Sequence, residues 1–469
     1  MYEIDFSRPE HIHFIGIGGI SMSGLAQILL QAGFTVSGSD THESELTRQL
    51  EKKGARVYYG QKAANIEREP GIQAVVYTAA IHEDNPEFQA ARGRQLPMLT
   101  RAELLGEIMQ NYRESIAVAG THGKTTTTSM LTDIFLEAES DPTISVGGIL
   151  PDIGGNIRVG GPELFVTEAC EYTNSFLSFS PTVEVILNIE ADHLDFFKDI
   201  DDIRHSFRLF AQKLPQSGLL VINSGIEGLE KLTEGLNCRI VTFGKDSQSQ
   251  YTAEHISYDE FARPSYDLVV RGERKGRITL GVTGEHNVYN SLSAAAAAME
   301  LGIGLEAVIK GLYRFKGTNR RFEKKGEVCG VTIIDDYAHH PQEIRATLSA
   351  AAHYPHRKLW CVFQPHTYTR TKAFLDEFAE ALAGADEVIL ADIYAARETD
   401  TLGVSSGDIA GRLEALGTKV HYIRSFDEIE TFGSINFANE SSPQVMVIQI
   451  RTDCLSLICF MSSRSLMSV

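Results

Sequence analysis

The chain has 469 residues, more than a single hydrophobic core ordinarily organises, so two or three domains are expected and its internal punctuation favours three. With 43% hydrophobic and 22% charged residues, and no run of about 18 consecutive apolar residues, it reads as globular and not as disordered or membrane-spanning. Forty-three basic residues against 62 acidic ones leave a formal charge of −19, which excludes a general nucleic-acid surface but not local phosphate binding by backbone N–H groups and a few placed cations.

The first text, MYEIDFSRPEHIHFIGIGG, has early acidic residues and neither a basic leader nor a small-residue cleavage site, so the cytoplasm is the expected compartment and no membrane partner is expected. Six scattered cysteines (Cys170, Cys238, Cys329, Cys361, Cys454, Cys459) form no CxxC pair, which argues for buried thiols over a zinc site or disulfide framework.

Residues 1–112 open with HIHFIGIGGISMSGLAQILLQAG, a strand, a glycine turn and a helix. FTVSGSD, ARVYYG and AVVYTAA follow as further strands alternating with helices up to the amphipathic TRAELLGEIMQNY, with a connection near Tyr112 to Glu114. The glycine turn offers Gly16, Gly18, Gly19, Ser21, Met22 and Ser23; a strict dinucleotide fingerprint needs glycine at position 21, so the turn alone is weak evidence. Asp40, about 20 residues on, stands where such folds place an acid on a ribose or base. A βα turn packed through its glycines is the plain alternative.

Residues 113–318 begin with the strand SIAVA and the stretch Gly120-Thr121-His122-Gly123-Lys124-Thr125-Thr126, followed by a helical pattern. The strict phosphate loop fails because Val118 stands where its first glycine belongs. The mechanical parts remain: glycines allow close approach, helix N–H groups face the phosphates, Lys124 supplies a point charge and Thr125 a hydroxyl for Mg²⁺. Two strand exits follow, FVTEACEYTNSF with Glu168 and Glu171, and VILNIEADHLD with Asn188, Glu190, Asp192 and His193. In a parallel sheet those exits share an edge with the phosphate loop, so Glu168 and His193 are candidate metal ligands, His193 being the less expected one for magnesium. A strand-rich stretch from Tyr251 to Leu280 precedes GEHNVYNSLSAAAAAMELG, where His286, Asn287 and Asn290 sit at a helix start with the asparagines on one face, suited to an adenine edge.

Residues 319–469 start with RRFEKKGEVCGVTIIDDYAHHP and repeat the alternation through KLWCVFQPH, EVILADIYAA and TKVHYIRSF. Arg321, beside Arg320 at the junction, can reach a transferring phosphoryl group. IDDYAHHPQEI and FQPHTYTRT are the densest polar strand exits; adjacent His339 and His340 lack zinc spacing, while Arg370 with Tyr368 suits a carboxylate. After Ser442 the text PQVMVIQIRTDCLSLICFMSSRSLMSV reads as a buried strand followed by a stretch with no cap or charge pattern.

Taken in order, GIGGISMSG, GTHGKTTT, NIEADHLD, GEHNVYN, RRFE, DDYAHHP and QPHTYTRT resemble the Mur ligases of peptidoglycan synthesis, from about His11 to Glu430. The DDYAHHP and QPHTYTRT pair is similar to the branch that attaches L-alanine to UDP-N-acetylmuramate. The resemblance implies an α/β protein of three domains: a Rossmann-like amino-terminal domain, a central P-loop ATPase domain and a Rossmann-like carboxy-terminal domain for the amino acid. It implies ATP and Mg²⁺ as cofactors, UDP-N-acetylmuramate and L-alanine as substrates, no nucleic acid, and a monomer or homodimer.

Residue by residue, it places Gly120 to Thr126 on the ATP phosphates, with Thr125, Glu168 and His193 on magnesium. His286, Asn287 and Asn290 fall to adenine, Arg321 to the γ-phosphate and Asp336 to the ribose. Gly16 to Ser23 with Asp40 hold the uridine diphosphate, and Tyr337, His339, His366, Tyr368 and Arg370 gather near the reacting carboxylate and alanine.

Two departures accompany the likeness. Glu168-Ala-Cys-Glu-Tyr172 replaces the family's EADES, and Arg451 to Cys454 (RTDC) stands where a glycine-alanine-glycine-aspartate turn is usual, as if from a shifted reading frame or a variant end. The alternatives are a recycling ligase that adds a whole tripeptide to the same sugar nucleotide, a folate polyglutamate ligase, and a nucleotide-binding protein inactivated by its carboxy terminus. A nicotinamide-dependent dehydrogenase fits the first glycine loop but leaves Lys124 and Glu168 unexplained.

Overall fold

The computed structural model describes residues 2–328, 330–396, 398–400, 402–436 and 444–449. They fall into two compact units, the described residues within 2–192, 198–252 and 293–311, and those within 193–197, 253–292 and 312–449.

The first unit opens with five parallel strands, β1 (His11–Ile15), β2 (Thr35–Asp40), β3 (Arg56–Tyr59), β4 (Ala74–Tyr77) and β5 (Met98–Thr100), in the order β3-β2-β1-β4-β5. Strand order reverses at β1, so the Gly16–Gly19 turn that follows it lies at the position where doubly wound sheets bind nucleotides. The connection to the next sheet is short and packed: Tyr112 is buried, its ring lies 5.1 Å from that of Phe165, and its hydroxyl is 3.2 Å from Thr143 Oγ1.

The second sheet uses β6 (Glu114–Ala119), β7 (Thr143–Leu150), β8 (Gly155–Arg158), β9 (Leu164–Ala169), β10 (Val183–Ile186), β11 (Leu219–Asn223) and β12 (Arg239–Gly244), in the order β12-β11-β10-β6-β9-β7-β8. All but β8 are parallel, and β6 lies centrally with β9 and β10 on its two sides. Ile116, Val118, Val166, Val185 and Ile186 are fully buried, the near-continuous apolar text expected of strands covered on both faces. Helix Ile20–Gln31 packs so closely here that a Cβ on Gly24 would stand 2.2 Å from Ile157 Cγ1.

The helix Lys124–Glu137 begins with four threonines in its first five residues, which is poor helix text by propensity. Burial overrides it: Thr127 and Thr128 are fully buried, and Ser129 and Thr132 donate to the carbonyls of Thr125 and Thr128 one turn back.

Toward the opposite end of β10 from the Gly120–Gly123 turn lies Glu184, paired in register with Ala117 and fully buried. Neither of its carboxylate oxygens has a hydrogen-bond partner among the described residues, and burial raises its pKa well above the ordinary 4.5, against a weaker pull from Lys213. The unfolded chain releases this proton near 4.5 while the folded one keeps it, so stability falls as pH rises above that value toward the folded pKa. Glu184→Gln is therefore expected to melt higher than the parent at pH 8, by roughly 2–4 °C for each kcal/mol recovered, with the gap closing at pH 5. A pH-independent gap in paired thermal melts would reject the buried acid as its cause.

The second unit carries the remainder of β13 (Tyr251–Tyr258), β14 (Pro264–Val270) and β15 (Glu273–Thr279), the polar strand-rich stretch, with β14 and β15 antiparallel. Its main sheet comprises β16 (Glu323–Val328), β17 (Val331–Asp335), β18 (Lys358–Phe363), β19 (Glu387–Leu390), β20 (Lys419–Tyr422) and β21 (Gln444–Gln449), ordered β16-β17-β21-β18-β19-β20. Only β16 is antiparallel. The last strand is thus inserted between the first two parallel ones, with Val445 and Val447 in one core layer and Met446 in the other. The expected buried strand near the end is present as β21; the expectations for RTDC and the residues after it lie outside the described residues.

Candidate active site

The strand β6 delivers the chain to Gly120 at φ 145° and Gly123 at φ 85°, the second of which is the N-cap of helix Lys124–Glu137. A left-handed N-cap without a side chain leaves the first helical amides accessible to an anion. At Gly120 a Cβ would lie 3.0 Å from Leu187 Cβ and 3.3 Å from the Asn188 backbone, so the turn fits only without one. Asn188, at the exit of β10, clamps the loop from both sides: its Oδ1 accepts from His122 N at 2.8 Å and its Nδ2 donates to His122 O at 3.1 Å. Thr121 Oγ1 accepts from Glu190 N at 2.9 Å, and His122 Nε2 lies 3.2 Å from Glu190 Oε2. Asn188 and Glu190 stand out in the text only as polar letters at a strand end; their part in shaping the loop comes from the pairing of β10 beside β6.

Lys124 turns over this loop and donates to the carbonyls of Gly120 and Thr121, while its Nζ lies 3.0 Å from Glu171 Oε2. Burial lowers the pKa of the ammonium, but Glu171, with Glu168 beyond it, outweighs that and raises it, so Lys124 stays a cation. Next to it Thr125 Oγ1 donates to Glu168 Oε2 at 3.0 Å, and Glu168 Oε1 accepts from Gly147 N. An alcohol and a carboxylate so placed at a helix N-terminus are hard oxygen donors of the kind Mg²⁺ selects. Cys170, between the two glutamates, has its thiol pKa raised by burial and by Glu171, so where the EADES text has an aspartate this chain carries one negative charge fewer.

In the amino-terminal sheet, Gly16 at φ 87° and Ile17 both donate to Ser39 O, and Gly18 N donates to Asp40 Oδ2 at 2.8 Å. A Cβ on Gly18 would stand 2.8 Å from that same oxygen, so the glycine and the aspartate are one structural device. Gly19 is the N-cap of helix Ile20–Gln31, with Ser21 exposed and Met22 and Ser23 buried beneath.

In the second unit, His286 begins the helix His286–Glu300. Burial pulls its pKa down to about 4, Glu343 opposing and Arg321 assisting, so the ring is neutral near pH 7. Asn290 Nδ2 donates to Asn287 Oδ1 at 3.0 Å and Asn287 Nδ2 to Thr283 O at 2.7 Å, which places the two amides on one face as their spacing predicts. Asp336 accepts from Phe322 N at 2.8 Å and Ala338 N at 2.7 Å; burial nevertheless pushes it up to about 6 against the pull of Arg321. Arg321 is 3.5 Å from Glu343 and its guanidinium lies 5.6 Å from the Tyr337 ring, so it is no freely solvated cation.

Ring contacts run on from Tyr337 to His339 at 5.3 Å and from His339 to His366 at 6.2 Å. Arg370 Nη1 lies 3.1 Å from His366 Nδ1, and Tyr368 opens the short helix Tyr368–Ala373 that carries Arg370. The exits of β17 and β18 therefore meet although β21 separates the strands themselves. His193 lies on the segment after β10 with a left-handed backbone, φ 52°, and its carbonyl accepts from Phe196 and Phe197. A strand exit can be recognised in the text; the side chain that lands beside it cannot, which is why Glu171, Asn188 and Glu343 were without assigned roles.

Three sequence models match in the same order: the Mur ligase family catalytic domain over residues 11–113, the Mur ligase middle domain over 118–298, and the Mur ligase glutamate ligase domain over 320–433. The chain belongs to the Mur ligase family, a three-domain α/β architecture. Among its relatives, the UDP-N-acetylmuramate–L-alanine ligase of Lachnospira eligens is 62% identical over 433 residues, covering 92% of this chain and 94% of that one. The enzyme of the same name from Agathobacter rectalis is 59% identical over 439 residues, covering 94% and 95%. In three dimensions the chain is similar to the crystal structure of the UDP-N-acetylmuramate–alanine ligase MurC of Thermotoga maritima, with a TM-score of 0.76, 29% identity, and coverage of 98% of this chain and all of that one. No helix among the described residues is long and apolar enough to cross a membrane.

Proposed function

We infer that the chain joins L-alanine to the carboxylate of UDP-N-acetylmuramate, using ATP and passing through an acyl phosphate, in the synthesis of peptidoglycan precursors. The observation that carries this is the charged Lys124 seated over the Gly120–Gly123 turn beside Thr125 and Glu168, in a chain 62% identical to a ligase of that name. The three domains divide as residues 1–112 for the UDP-sugar, 113–318 for ATP and 319–469 for the amino acid.

A sugar carboxylate oxygen attacks the γ-phosphorus as the bond to ADP breaks, and Lys124 and Arg321 offset the charge spreading over the transferring group. Thr125 and Glu168 would hold Mg²⁺, with His193 on a second ion; bound there, magnesium would neutralise phosphate oxygens. The alanine nitrogen, after losing a proton, attacks the acyl carbon, and phosphate leaves. His339 is suited to take that proton: its Nδ1 lies 2.9 Å from the Tyr337 carbonyl, so Nδ1 carries hydrogen and Nε2 is the basic nitrogen. His366 and Arg370, with Tyr337 and Tyr368 nearby, grip the amino-acid carboxylate, while His286, Asn287, Asn290 and Asp336 serve the adenosine and Gly16 to Ser23 with Asp40 the uridine diphosphate. The acyl phosphate must be kept from water until the amine arrives.

Phosphate release with ATP, magnesium and UDP-N-acetylmuramate, measured against a panel of amino acids and the murein tripeptide, tests the assignment. Release is expected to depend on L-alanine; stimulation by the tripeptide alone would transfer the chain to the recycling branch, and none with any acceptor would leave a nucleotide-binding protein.

A further inference from the structure

The loop after β19 holds the loop after β18 at several points. Glu398 accepts from the backbone N–H groups of Tyr368 at 2.6 Å and Thr369 at 3.0 Å, and from the Thr369 hydroxyl. These are the first two residues of the helix Tyr368–Ala373, and Arg370 is the third. Just upstream, Thr367 N donates to Tyr394 O at 2.9 Å and Tyr394 N to Pro365 O at 2.8 Å, while the rings of His366 and Tyr394 stack 5.8 Å apart at 17°. Downstream, Lys372 Nζ donates to Leu402 O at 3.1 Å.

This bracing answers a local need. Thr367, the N-cap, is a β-branched residue at φ 66°, ψ 146°, a region that L side chains rarely adopt and that persists only when its surroundings over-determine it. A six-residue helix is too short to hold itself, and a carboxylate on its first amides satisfies donors that have no partner within the helix and lies at the favourable end of its dipole. With Thr367 so fixed, Arg370 Nη1 stays 3.1 Å from His366 Nδ1.

We propose that Glu398 is a positioning residue of the amino-acid site, setting the Arg370–His366 pair through the backbone of Tyr368 and Thr369. The inference rests on the reading that this pair grips the alanine carboxylate. It also explains why a site on the β18 exit depends on a residue 28 positions further along, in the β19–β20 connection, whose text carries no motif.

Steady-state phosphate release by Glu398→Ala, Glu398→Gln, Arg370→Ala and the Glu398→Ala/Arg370→Ala double variant tests it. Glu398→Ala is expected to raise the KM for L-alanine by about tenfold with the KM values for ATP and UDP-N-acetylmuramate unchanged. Glu398→Gln, which keeps one acceptor, is expected to fall between that variant and the parent. The double variant is expected to be no worse toward L-alanine than Arg370→Ala, since the two residues act in series. An unchanged KM for L-alanine in Glu398→Ala, an equal rise for all three substrates, or a fully additive double variant would overturn the proposal. An Arg370→Ala enzyme with normal alanine affinity would instead reject the amino-acid-site reading beneath it.

Discussion

Lys124→Ala is expected to lower phosphate release by about a thousandfold or more, the scale seen when a preorganised charge is removed from a transferring group, while UDP-N-acetylmuramate still binds. Two effects add. The ammonium that offsets charge on the terminal phosphates is lost, and Glu171, 2% exposed, loses the cation 3.0 Å away and presents its own charge toward the same region. Removing one member of a buried pair typically costs about 3–5 kcal/mol of stability, so the fold loosens as well. The double variant Lys124→Ala/Glu171→Gln separates the two: it is expected to regain the parent's melting temperature and none of its turnover. Calorimetric titration with the UDP-sugar reports whether the amino-terminal site survives. Turnover within tenfold of the parent would remove Lys124 from the phosphate-transfer step.

Glu168→Ala is expected to cost roughly a hundredfold in turnover at saturating ATP and to raise the magnesium concentration for half-maximal rate at least tenfold. The carboxylate faces Thr125 Oγ1 at 3.0 Å and holds Gly147 N with its other oxygen, so its loss would remove the proposed metal ligand and free the β7 backbone at Gly147 together. In the parent the carboxylate packs so tightly on this backbone that a Cβ at Gly147 would stand 3.0 Å from Glu168 Oε2. Glu168→Asp, shorter by a methylene, separates these effects: partial rescue by excess magnesium would mark a ligand, whereas a loss indifferent to magnesium would mark a brace. Magnesium dependence identical to the parent in both variants would dismiss the metal role.

Much of the site was legible because the chemistry sits in contiguous strand-turn-helix text. Gly16, Gly18 and Asp40 were readable as a glycine turn with an acid facing it, and the structure adds that Gly18 N donates to Asp40 itself. Gly120, Gly123, Lys124 and Thr125 were readable even with Val118 in place of the usual first glycine, since β6 before and a helix after supply the same mechanics. The threonine run shows the weakness of propensity: these residues form a helix because Thr127 and Thr128 are buried in the fold. His286 and Asp336 were readable as polar letters, but their protonation was not, because burial pushes one down to about 4 and the other up to about 6.

The letters alone determined where strands give way to helices, where glycine is required, and which side chains stand at strand exits, because hydrophobic period and turn chemistry act over a few residues. Only the tertiary structure decided that β21 slots between β17 and β18, that Asn188 clamps the Gly120–Gly123 loop, that Glu171 keeps Lys124 charged, and that Glu398 anchors the helix carrying Arg370. Each of these joins residues from different parts of the chain, from 29 apart for Thr369 and Glu398 outward, and strand order and side-chain pairing at such separations follow from burial and register across a whole sheet, which no local pattern encodes.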